Sequence, residues 1–126
     1  TIDNLRAIGK KVVIVAPPPA MSFDAGRCEE RKQNQMIRLG EYANCIMPYD
    51  DILDLRKDVY AFMDTVQRKS NIEIIKFDEH LIEDNFVITN RDQINIFIAN
   101  AHLSYKGSVL LAREMNLLQL AIDSAY

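Results

Sequence analysis

The run Lys11-Val12-Val13-Ile14-Val15-Ala16, closed by Pro17-Pro18-Pro19, constrains this chain more than any other stretch. Branching at Cβ stiffens Val and Ile at χ1 and favours an extended backbone. The prolines have no N–H to give to a sheet ladder, so a strand must end at Ala16. Apolar residues occupy both faces of the run, which predicts a central strand of a parallel sheet covered by helices. Residues 17–26 then leave the strand at its C-terminal edge, the edge on which open α/β sheets bind ligands.

The remaining pattern supplies partners for that strand. Ile2, Leu5 and Ile8 recur at helical spacing before Gly9, reading as the tail of a helix. Residues 27–39 predict a charged, mostly exposed helix, and residues 43–48 a short buried strand stopped by Pro48. Ile52, Leu55, Val59, Phe62 and Val66 mark a helix with Asp50 or Asp51 as N-cap. Residues 72–77 predict a second apolar strand, so that helix and its two flanking strands read as a βαβ crossover. Residues 78–94 are polar and irregular, residues 95–99 a short extended segment, and residues 107–122 a closing helix. The expected fold is α/β, one domain over residues 1–126, a three-layer sandwich with a mainly parallel, flavodoxin-like sheet.

Composition limits the function classes. With 48% apolar and 26% charged residues the chain suits an ordinary globular core. A net charge of −3 with interleaved signs argues against a nucleic-acid partner. No apolar run reaches the roughly eighteen residues of a membrane span. Thr1 is not Met and no signal-peptide pattern follows it, so the chain is expected to be a processed or excised piece. Cys28 and Cys45 lack metal-ligand spacing and only His80 and His102 accompany them, so neither a metal nor a cofactor is indicated. The two cysteines have two open readings: reduced thiols, or one disulfide worth about 3 kcal/mol in the chain-entropy model.

The segment with most chemical content is Asn100-Ala101-His102-Leu103-Ser104-Tyr105-Lys106-Gly107. His102 is either an exposed or capping residue at a helix entrance, or a general base near neutral pH on the ligand edge of the sheet. Asp24, Arg27 and Glu29 are either solvated or line a substrate site, and the charge run 27–32 reads as an exposed helix face. His80 reads as exposed.

The order Val12-Val13-Ile14-Val15-Ala16-Pro17-Pro18-Pro19, then Phe23-Asp24, then Cys28 through Arg31, then Phe97-x-x-x-x-His102-Leu103-Ser104-x-x-Gly107 resembles the C-terminal portion of an SGNH-type domain. More narrowly, it resembles the SGNH domains fused behind membrane acyltransferases of the O-antigen acetylase type. The likeness spans most of the chain, although residues 40–95 carry it by order of elements more than by motif.

The resemblance implies a serine nucleophile from an N-terminal Gly-Asp-Ser block, oxyanion donors from later blocks, and a C-terminal Asp-x-x-His pair. In such a pair the carboxylate holds the imidazole tautomer while the other ring nitrogen faces the serine. His102 falls on the base, Ala99 stands where the family has Asp, and Asn100 is left as a weak orienter. Loss of that carboxylate costs about 10⁴-fold in a triad. No Gly-Asp-Ser occurs, and Ser22, Ser70, Ser104, Ser108 and Ser124 all lack that setting, so the domain is expected to be incomplete at its N-terminus.

The implied function is O-acyl transfer, of acetyl, to a cell-surface polysaccharide or lipopolysaccharide sugar through a serine ester. Its implied partners are a carbohydrate acceptor, an acyl donor and an upstream membrane acyltransferase domain, at the periplasmic or extracellular face. The alternatives are a carbohydrate esterase of the same fold, or a non-catalytic module that binds glycan or docks on a partner.

Overall fold

The computed structural model describes residues 1–125. It opens with α1 (Ile2–Ala7), which stops where Gly9 takes a φ of +75°. Arg6 reaches across to donate to the carbonyls of Ser70 and Asn71, tying α1 to the far end of a later helix. β1 is only Ile14–Val15, and α2 follows as Ala25–Gln33, capped by the Asp24 side chain on the Arg27 N–H at 2.9 Å.

β2 (Met47–Pro48) leads directly into α3 (Tyr49–Leu55) and α4 (Lys57–Ser70). The sequence predicts one helix here. The structure breaks it at Arg56, whose φ of −115° and ψ of 18° interrupt the helical path. Ile52 on α3 and Met63 on α4 face the core, whereas Leu55 and Phe62, both expected on the apolar stripe, are exposed. α4 ends at Asn71 in the left-handed conformation, which an Asn tolerates better than most residues.

β3 (Ile74–Ile75) pairs in parallel with β1, Ile14 opposite Ile74 and Val15 opposite Ile75. The βαβ crossover read from the sequence therefore exists. The mainly parallel sheet does not extend beyond it. Val15 remains 43% exposed, so this strand is not covered on both faces as expected of a central one.

After α5 (Asp78–Leu81) the backbone makes two tight hairpins. β4 (Ile82–Glu83) turns through Asp84-Asn85 into β5 (Phe86–Val87), and β6 (Asn90–Arg91) turns through Asp92-Gln93 into β7 (Ile94–Asn95). All four turn residues have positive φ, between 49° and 66°, as a two-residue type I′ hairpin turn requires. β2, β5 and β4 form an antiparallel sheet in that order, and β6 and β7 a two-stranded one. Parallel pairing needs long crossovers whereas hairpins need two residues, so the stretch read as irregular becomes antiparallel ribbon.

The closing helix is also divided: α6 (Tyr105–Glu114) and α7 (Leu117–Ser124) meet at Asn116, with φ of 46°. The main core gathers Met21, Ala25, Met47, Ile52, Ile75, Phe77, Leu81, Val87, Ile96, Phe97, Leu111 and Met115. A satellite of Ala16, Met63 and Ile74 lies under α4. No helix among the described residues is long and apolar enough to cross a membrane.

Candidate functional site

His102 lies on a tight excursion of the chain between two core residues. Phe97 and Leu103 form an antiparallel bridge, and the Ile98 N–H donates to the His102 carbonyl at 2.9 Å. The residues between them, Ala99, Asn100 and Ala101, form the turn. The Asn100 carbonyl accepts from the Met21 N–H at 2.8 Å, which pins the turn to the loop that leaves β1. The sheet edge and the histidine segment, far apart in sequence, are thereby joined.

The downstream side is held as firmly. The Ser104 N–H donates to the Ile96 carbonyl at 2.7 Å, its hydroxyl donates to the Asn95 carbonyl at 2.6 Å, and its oxygen accepts from the Gly107 N–H at 2.8 Å. Ser104 is thus the N-cap of α6 and satisfies one of the orphan donors of its first turn. Gly107 is needed for a second reason. A Cβ there would stand 2.3 Å from the Ile96 carbonyl oxygen, so α6 approaches the 96–97 backbone only because the residue has no side chain. The Leu-Ser-x-x-Gly pattern after His102 is therefore a docking device that seats α6 beside the histidine.

Gly26 does the same from the other side. A Cβ on it would meet the Ile98 carbonyl oxygen at 2.4 Å, so α2 presses on the next stretch of the same segment. Residues 96–98 are clasped between two helices through two glycines. Their side chains Ile96 and Phe97 are fully buried while His102 is exposed. The result is a rigid mount with an outward imidazole.

Among the described residues, the His102 side chain makes no hydrogen bond or ion pair, and neither does the Asn100 carboxamide. Ala99 offers no acceptor. None of the chain's serines hydrogen-bonds His102: Ser104 caps α6, Ser108 donates to the Tyr105 carbonyl, Ser22 is directed at the Met47 sulfur, Ser70 closes α4 and Ser124 is buried at the end of α7. Both imidazole nitrogens remain available to a group from outside these residues.

The structure distributes the sequence's substrate candidates. Asp24 uses its carboxylate as the α2 cap, yet both Asp24 and Arg27 line a groove that runs past Ile98 and Ser104. They also line a cleft of about 340 Å³ between α2 and residues 38–43. Glu29, in contrast, is 3% exposed and is a strut: the Thr89 hydroxyl lies 2.7 Å from its carboxylate and 2.6 Å from the Cys45 carbonyl. His80 is half-buried on α5, and its carbonyl accepts from Arg91.

Cys28 and Cys45 form a disulfide that joins α2 to the turn before β2, resolving the two readings left open by the sequence. No group of three or more His, Cys, Asp or Glu side chains able to hold a metal occurs among the described residues.

A feature the sequence did not disclose lies beyond the C-terminal end of β3. Asp78 is buried and accepts hydrogen bonds from the hydroxyls of Tyr49 and Tyr60, at 2.8 and 2.7 Å. Burial first, and then the bond to the Asp78 carboxylate, push the Tyr49 phenol up to about 12 and raise Tyr60 as well. These phenols are held protonated, so they serve as donors rather than bases.

A family model described as SGNH domain (fused to AT3 domains) matches residues 1–116. No curated protein and no solved structure matches the chain.

Proposed function

The chain belongs to the family of SGNH domains fused to AT3 domains, and from that premise we propose that it contributes the base-bearing part of an O-acyltransferase acting on a cell-surface carbohydrate. The observation that supports this most is the mount of His102: an exposed imidazole without an internal partner, on a turn whose backbone is fixed by Met21, Ile98 and two glycine-seated helices. Preorganisation of this kind is what a general base needs, because misplacement of the base lowers the rate steeply.

In the proposed scheme a serine hydroxyl from outside the described residues lies against one imidazole nitrogen of His102. His102 takes the hydroxyl proton as the serine oxygen attacks the carbonyl carbon of the acyl donor. His102 then gives that proton to the donor's departing group, a sugar hydroxyl gives its own proton to the freed imidazole as it attacks the serine ester, and His102 returns this proton to the serine oxygen as the serine leaves. The acyl group is taken to be acetyl, the acceptor a polysaccharide or lipopolysaccharide sugar, and the donor is delivered by an AT3 domain of the same protein. The Cys28–Cys45 bond supports a periplasmic or extracellular setting, since disulfides persist in oxidising compartments.

A second reading is favoured by Ala99. Without a carboxylate the tautomer of His102 is not enforced, and a glycan-binding or docking module would have no need of it. An esterase of the same fold differs only in accepting water in place of the sugar.

The deciding experiment uses the intact protein and follows acyl transfer to carbohydrate alongside release of free acid. His102→Ala is expected to abolish transfer, and Ala99→Asp to raise the rate at least about tenfold by restoring an orienting carboxylate. Transfer unchanged by His102→Ala would overturn the catalytic reading. Acid release without transfer would select the esterase.

A further inference from the structure

The cleft between α2 and residues 38–43 plays no part in the proton transfers above, and its lining is unusual for this chain. Arg27 and Arg31, four residues apart, share a face of α2, and Arg38 faces them from the opposite wall. The Arg38 Nε donates to the Ala43 carbonyl at 2.7 Å, which fixes its guanidinium while its terminal nitrogens take no partner among the described residues. None of these three arginines forms a salt bridge among the described residues, although the protein has 18 acidic residues and a net charge of −3. The cleft's own acids are Asp24, whose carboxylate caps α2, and Glu41.

Two aromatic rings also line the cleft. Phe23 and Tyr42 stack with ring centroids 5.2 Å apart and planes inclined by 19°. The walls are fixed relative to one another, because the Cys28–Cys45 bond joins α2 to a turn in which the Cys45 N–H donates to the Tyr42 carbonyl at 2.9 Å. A volume of about 340 Å³ is of the size that holds a small ligand. Planar guanidiniums match carboxylate and phosphate in two-point fashion, and aromatic surface suits the apolar face of a ring.

We infer that this cleft binds an anionic saccharide, its carboxylate or phosphate held by Arg27, Arg31 and Arg38 and its ring against Phe23 and Tyr42. Asp24 and Arg27 also line the groove past Ile98, so the cleft adjoins the mount of His102. The inference deepens the proposed function by giving the acceptor's chemical class, and rests on that reading for the ligand's biological origin. Its physical content stands apart, since binding requires neither a serine nor an acyl donor.

The test is a titration of the isotopically labelled protein with glucuronate, glucose 6-phosphate, glucose and inorganic phosphate, followed by NMR. Glucuronate and glucose 6-phosphate are expected to shift the Arg27, Arg31 and Tyr42 resonances and to bind about tenfold tighter than either glucose or phosphate. Arg27→Gln/Arg31→Gln, at two exposed positions, should remove that preference while leaving the remaining spectrum in place. Equal binding of glucose and glucuronate would overturn the role of the arginines. Phosphate binding as tight as glucose 6-phosphate would overturn the saccharide. Acidic-sugar binding in a protein whose transfer survives His102→Ala would refute the catalytic reading alone.

Discussion

Gly26 and Gly107 are the residues on which the histidine mount depends. Each lets a helix lie against the backbone of residues 96–98 at a distance no side chain permits. Gly107→Ala must displace either α6 or the Ile96 carbonyl, and overpacking of this kind costs about 1–3 kcal/mol. We expect a lower urea midpoint and, because the displaced segment carries His102, a fall in acyl transfer larger than the stability change accounts for. Ser104→Ala removes a cap at about 1 kcal/mol and also the bond to the Asn95 carbonyl. Its expected signature in hydrogen exchange is faster exchange confined to the first turn of α6. Uniform exchange across the molecule would mean that Ser104 has no local role.

At the scale of elements, α2 is the hub. Its N-terminus is capped by Asp24, its inner face buries Glu29 against Thr89, and Cys28 ties it to the turn before β2. In the chain-entropy model a cross-link across 17 residues is worth about 3 kcal/mol. Cys28→Ser/Cys45→Ser should lower unfolding stability by about that amount, read from denaturant midpoints with and without reductant. A double variant as stable as the parent would show that Glu29 and the core suffice to hold α2. The short hairpins are a second lesson at this scale. Asp84-Asn85 and Asp92-Gln93 are turn signals, but the strands beside them have two residues each, too few to impose a visible alternation on the sequence.

For the molecule as a whole, the Tyr49–Asp78–Tyr60 cluster binds α3, α4 and α5 together beyond the end of the parallel pair. Tyr49 is raised from 10.0 in the unfolded reference to about 12 in the fold, and Tyr60 is raised in the same direction. The unfolded chain loses these protons first as pH rises. The associated stability is therefore complete below pH 10 and is lost as pH climbs through about 12. Alkaline unfolding is expected in that window, with two phenols ionising only as the fold opens, and phenolate absorbance measured beside circular dichroism checks it. Asp78→Ala would leave both hydroxyls without their acceptor at a cost of about 1–3 kcal/mol each, and should shift alkaline unfolding to lower pH.

The sequence by itself determined that the chain has an α/β character, that a strand ends at the prolines, that a second apolar strand pairs with it across a helix, and that His102 stands before a helix. Those features are local: β-branching, missing amides, caps and helical spacing act within a few residues. Tertiary structure decided the rest. The parallel pairing stops at two residues per strand, both long helices break, and the cysteines join. Glu29 is drawn into the core, Asp78 gathers two tyrosines, and three arginines come together in one cleft. None of these has a signature at short range, because each depends on which distant backbone segments can approach closely enough to bury polar groups with their partners satisfied.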